Sequence, residues 1–150
     1  MADAPLKTRV LEDTKRSMKS GDKPRVAALR LVAAAIKQRE VDDRSELDDT
    51  QIVAVLDKMA KQRRESIEQY AKAQRQDLVD KETFELNLIK EYLPAALSEA
   101  EIEALINAAI AESGAQSARD MGKVMGLLKP KVQGRADMAA LSSRVKSQLA

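Results

Sequence analysis

From Leu6 to Leu149 the apolar residues of this chain return every three or four positions, and nowhere do they alternate. That spacing makes helices with one greasy side and leaves no run suited to a half-buried strand. Leu6, Val10, Leu11 and Met18 share the first such face, with Gly21 as a plausible stop. Asp22 can cap a second helix, and Pro24 is tolerated in its first turn because its missing N–H would have no partner there. Val26, Leu29, Ala33 and Ile36 mark that helix, which gives way to the polar stretch Asp42 to Asp49. A third, the longest, is expected from Asp49 or Thr50, burying Ile52, Val55, Leu56, Met59, Ile67 and Tyr70. A fourth follows Arg75. Its start is acidic through Asp77, Asp80 and Glu82, as the helix dipole favours, and Pro94 ends it.

Past Pro94 the pattern restarts with a capping box, Ser98 and Glu101, whose side chains can each accept the other's backbone N–H. Ile102, Leu105, Ile106, Ala109 and Ile110 form the next stripe, closed by Gly114. Ser117 and Asp120 open another helix, with Met121, Val124, Met125 and Leu128 as its stripe until Pro130. A loop from Lys131 to Ala136 leads to Asp137, cap of a last helix bearing Met138, Leu141, Val145 and Leu149. The expectation is an all-α fold of about seven helices in two small subdomains. These are an N-terminal helical bundle over 1–94 and a C-terminal three-helix bundle over 95–150.

Composition narrows the chemistry. Phe84, Tyr70 and Tyr92 are the only aromatics among 150 residues, so the core must be aliphatic. The chain has neither cysteine nor histidine. Disulfides, thiolate metal sites and imidazole-based acid–base catalysis are therefore excluded. Carboxylates are plentiful but form no recognisable dyad. Glu82 and Glu85 could flank a cation, although pairing with basic side chains is the simpler reading. No serine sits in a nucleophile elbow. No catalytic residue, metal or cofactor is expected, and the chain is not expected to be an enzyme by itself. Met1 to Arg9 lacks the apolar core of a leader, and no run is long enough to span a membrane, so the expected compartment is the cytoplasm.

The net charge of +2 is uninformative, but its distribution is not. Residues 1–76 carry 17 basic and 13 acidic side chains, residues 77–112 carry 2 and 9, and residues 113–150 carry 7 and 2. Two basic constellations stand out. Lys58, Lys61 and Arg64 recur at three-residue spacing on the long helix and are either a solvated face or a ladder for phosphates. Arg63 beside them falls partly on the core side and should need a carboxylate from Asp77 to Glu91. The second constellation centres on Gly122 and Gly126. Two glycines in a helix cost about 1 kcal/mol each relative to alanine, so something must offset them. Either another helix packs closely there, or a ligand backbone such as a phosphodiester approaches. Lys123, Lys129, Lys131 and Arg135 lie around that face and the following loop. The glycine spacing is not that of a Walker loop, and no strand precedes it.

These segments resemble the GatB/YqeY family. The resemblance is carried by Lys61 to Tyr70 (KQRRESIEQY), by Arg75 to Leu78, by Tyr92-Leu93-Pro94, by Met121 to Gly126 (MGKVMG) and by Gly134 to Asp137 (GRAD). It runs from about residue 6 to the end. It implies an all-helical module of two subdomains that, as the C-terminal appendage of a tRNA-dependent amidotransferase subunit, grips the tRNA body while another domain does the chemistry. For this chain it implies an accessory protein that binds tRNA, with amidotransferase subunits or other tRNA-handling proteins as partners. It also implies, less directly, a carbon–nitrogen ligase using glutamine as nitrogen donor, for which no catalytic residues are present. A helical protein-interaction module, docking through Met121 and Met125, is the alternative that needs no nucleic acid.

Overall fold

In the computed structural model, which describes residues 5–150, the chain is all-helical and divides between Leu93 and Pro94 into two compact units. Part of the leader reading, residues 1–4, lies outside the described residues. The first unit holds α1 (Leu6–Ser20), α2 (Lys23–Asp43), α3 (Asp49–Lys72) and α4 (Gln76–Lys90). The second holds α5 (Glu99–Ser113), a single 3-10 turn (Ala118–Asp120), α6 (Met121–Val132) and α7 (Met138–Leu149). Among the described residues there is no strand. Helices pack chiefly on their neighbours in sequence: α1 on α2, α3 on α4, α5 on α6 and α6 on α7.

Local chemistry sets the helix ends. The Asp22 carboxylate accepts the N–H of Arg25 at 3.2 Å, with Pro24 in the first turn as expected. At α5 the predicted box is made in both directions, Glu101 N–H to Ser98 Oγ at 3.1 Å and Ser98 N–H to Glu101 Oε1 at 3.2 Å. A second box, Asp48 with Gln51, starts α3 and was not anticipated. Gly21 closes α1 at φ 75°, a conformation that costs an ordinary side chain about 1 kcal/mol or more.

The core of the first unit is aliphatic, with Val10, Leu29, Val32, Ile52, Leu56 and Ile89 sealed from water. Leu11 and Met18, expected on the buried face of α1, are half exposed; Leu6, Val10 and Ser17 are the buried residues there. At the end of α1 Gly21 turns the chain, and Asp22 N–H bonds the Ser17 carbonyl at 3.0 Å. The turn after α4 is locked by Tyr92. Its ring is buried, its hydroxyl donates to the Asp13 carboxylate, and the Arg9 guanidinium lies 5.2 Å above the ring centroid. Burial, and then the neighbouring Asp13 carboxylate, push the Tyr92 phenol well above its ordinary pKa, so it stays a donor. Beside it, Arg25 grips Glu91 with two bonds of 3.0 and 3.1 Å.

In the second unit Ile106, Ala109, Val124, Leu128, Val132, Leu141, Val145 and Leu149 make the core. Here the sequence reading needs a correction. The sixth helix does not stop at Pro130; it runs two residues further, to Val132. Proline removes one hydrogen bond, to the carbonyl four residues back, and that carbonyl belongs to Gly126. Burying Val132 completely compensates by about 1.5–3 kcal/mol.

Candidate nucleic-acid interface

The geometry of α6 bears on the helix-packing reading of the two glycines. Val124, Leu128 and Val132 recur every four residues and are buried. Gly122, Gly126 and Pro130 recur at the same interval on the opposite side, and all three are exposed. A Cβ built on either glycine would meet no atom within 4 Å. Close packing against another helix of the unit is therefore not what the glycines serve, and that expectation is corrected. What they leave is a strip of bare main chain. Pro130 extends it by one turn and withholds the N–H that the Gly126 carbonyl would otherwise accept.

Lysines border the strip. By helical spacing Lys123 and Lys129 flank the row on its two sides, and Lys131 lies farther round. All three are exposed. Lys123 is loosely engaged: its Nζ is 3.8 Å from Asp120 and its side chain is 70% exposed, so salt or a polyanion can displace the contact. Asp120 does not cap α6 with its side chain. Its carboxylate accepts the N–H of Gln116 at 3.0 Å, which together with the Lys123 ammonium holds its pKa below the usual aspartate range. Among the described residues, Lys129 and Lys131 have no carboxylate within ion-pair distance. Arg119, which the sequence reading passed over, is exposed in the turn leading into α6, four residues before Lys123. That spacing was the available signal.

Arg135 is placed differently from the lysines. Its Nε donates to the Ala95 carbonyl at 3.0 Å, and its own carbonyl accepts the N–H of Leu97 at 2.9 Å. It straps the segment before α5 to the Gly134–Asp137 turn, where Gly134 supplies φ 76° and Asp137 caps α7 by accepting the Ala139 N–H at 3.0 Å. A structural role accounts for its half-buried position. Met121 and Met125, offered as adaptable docking groups, pack against the core of their own unit, so they do not form a free methionine surface.

In the first unit Lys58, Lys61 and Arg64 are all exposed on α3, and among the described residues none has an ion-pair partner. Arg63 points inward, as its spacing required. Its side chain is 17% exposed, and its Nη2 lies 3.9 Å from Oε1 of Glu85, within the acidic stretch expected to supply the partner.

A family match covers nearly all of this chain: the family described as Yqey-like protein aligns with residues 7–149. The chain belongs to the YqeY-like family. Curated relatives include "Altered inheritance of mitochondria protein 41, mitochondrial" from three fungi. The protein of Pyrenophora tritici-repentis is 30% identical, over 85% of this chain and 71% of its own length. That of Kluyveromyces lactis is 32% identical, over 91% and 78%. That of Lachancea thermotolerans is 36% identical, over 67% and 56%, so the chain matches little more than half of that relative. Those names place the fungal proteins in mitochondria and state no ligand or reaction. In this YqeY-like chain no helix among the described residues is long and apolar enough to cross a membrane.

Proposed function

We propose that this YqeY-like protein is a non-catalytic RNA-binding accessory protein, and that the outer face of α6 receives the phosphate backbone of a tRNA. One observation carries the reading: Gly122 and Gly126 stand open on a helix bordered by exposed lysines, with nothing in their own unit to justify their cost. A phosphodiester can approach main chain that lacks side chains, while Lys123, Lys129 and Lys131 neutralise its charge. The positive end of the α6 dipole lies at Gly122 and Lys123 and adds to that attraction. Recognition would be by shape and charge rather than by base stacking, because the chain has only three aromatic residues. Lys58, Lys61 and Arg64 are the second candidate contact, on the other unit. Partnership with amidotransferase subunits, and residence in the cytoplasm, belong to the same proposal.

The test is fluorescence anisotropy with labelled total tRNA across a salt series. Binding should weaken steeply with salt, and replacing Lys123, Lys129 and Lys131 by alanine should lower the slope of log K against log salt by roughly one for each phosphate that is no longer neutralised. No binding at low salt would reject the RNA reading. A slope altered only by replacing Lys58, Lys61 and Arg64 would move the site to α3. Ammonia release from glutamine by the purified protein would overturn the non-catalytic assignment.

A further inference from the structure

The first unit has a groove between α1 and α2 that the RNA reading does not use. Its volume is about 250 Å³. Val10, Ala33 and Ile36 form an apolar floor, with Leu11 on the α1 side and Lys37 on the α2 side. Leu11 is 50% exposed, and Met18, two turns on along the same row of α1, is 54% exposed. Arg30 lies two turns before Lys37 on the same row of α2, and Lys15 one turn past Leu11. Among the described residues, Lys15, Arg30 and Lys37 have no carboxylate within ion-pair distance. The one acid on the lining, Glu40, is already engaged by Lys7 Nζ at 2.9 Å and by the Leu47 N–H at 3.1 Å. The same imbalance runs through both helices, for residues 6–43 carry ten bases and six acids. Besides Glu40, Asp13 accepts from the Tyr92 hydroxyl, Asp22 caps α2, Asp42 accepts from Gln38 and Asp43 from Arg39. Glu12 remains, and helical spacing turns it away from the groove.

We propose that this groove docks an acidic amphipathic helix of a partner protein. The apolar face of that helix covers the floor, Leu11 and Met18. Carboxylates two turns apart along it meet Lys37 and Arg30, which are themselves two turns apart. Negative charge is called for by bases that no acid of their own hairpin faces, and an apolar face by the half-exposed leucine and methionine. A nucleic acid would neutralise the same bases but leave Leu11 and Met18 in water. A flat anionic bilayer would not reach a floor recessed between two helices.

The experiment is an amide-detected NMR titration of the full chain, at low salt, with an alanine-based helical peptide carrying a row of leucines and, beside it, two glutamates two turns apart. Its twin has both glutamates replaced by glutamine. The expected result is shifts confined to amides near Leu11, Ala33 and Lys37, with the glutamine twin binding roughly fivefold more weakly. Arg30→Gln combined with Lys37→Gln should abolish that preference. Leu11→Ser should weaken both peptides, and because all three side chains are exposed, the rest of the spectrum should stay in place. Equal binding of the two peptides would overturn the proposal, as would the absence of groove shifts or undiminished binding by Leu11→Ser. Total tRNA or phosphatidylglycerol vesicles shifting these amides in place of the acidic peptide would also overturn it, assigning the groove to a nucleic acid or a membrane. The lysines of α6 enter none of these readouts, so this reading and the one for α6 fail separately.

Discussion

Replacing Gly122 and Gly126 with alanine should move stability and binding in opposite directions. Neither glycine has the positive φ that would strain a side chain, and a Cβ at either position meets nothing within 4 Å. The gain is then the helix-propensity difference, at most about 1 kcal/mol at Gly126 in the helix interior, and less at Gly122, which is the second residue of α6. Together they should add about 1–1.5 kcal/mol to the second unit, which for a domain of that size raises Tm by about 4–8 °C per kcal/mol. The same two methyl groups stand where the phosphate backbone is proposed to come closest, so tRNA affinity should fall although every lysine is retained. Calorimetry reads the first effect and anisotropy at fixed ionic strength the second. A doubly substituted protein that is more stable and binds tRNA as before would refute the close approach. One that is less stable would refute the open placement of the glycines.

Other substitutions probe the remaining supports. Arg63→Ala should cost about 2–4 kcal/mol in urea unfolding because it leaves Glu85 buried without any cation, whereas Arg63→Met combined with Glu85→Leu should stay within about 1 kcal/mol of the parent. Ser98→Ala breaks the capping box of α5 and should cost about 1 kcal/mol, seen in the transition of the second unit alone. Glu40 accepts from Lys7 at 2.9 and 3.0 Å and from the Leu47 N–H at 3.1 Å, and these bonds, Lys7 first, hold its pKa below the ordinary 4.5. A lowered folded-state pKa means stability present above 4.5 and lost as pH falls through the lower folded value. The stability difference between the parent and Glu40→Gln, taken from urea midpoints, should therefore be full at neutral pH and shrink in acid below 4.5.

The architecture was legible because each helix carries its own instructions. Ser98 with Glu101, Asp22 with Pro24, Gly21 and Gly114 all act within one turn of sequence, and such local rules survive folding intact. Two readings failed where tertiary packing overrode local preference. Pro130 signals a stop, but the core needed Val132 and drew the helix past it. Leu11 and Met18 have the right spacing to be buried, but the described residues leave about half of each exposed. For the candidate site, spacing showed that the two glycines share a face and that Arg63 turns inward. It could not say whether the glycine face was covered, since that depends on which side of α6 the other helices occupy. Nor could it separate Arg135 from the lysines, because the bond that occupies its side chain goes to the carbonyl of Ala95, forty residues earlier in the chain.

The pairing of α1 with α2, α3 with α4, α5 with α6 and α6 with α7 has a kinetic consequence. When contacts join segments that are already neighbours, only short loops must close before packing begins, and the entropy lost in closing them is small. Such a chain should fold within milliseconds or faster. During synthesis α1 and α2 can associate while α3 is still being made, leaving their apolar faces unguarded only briefly.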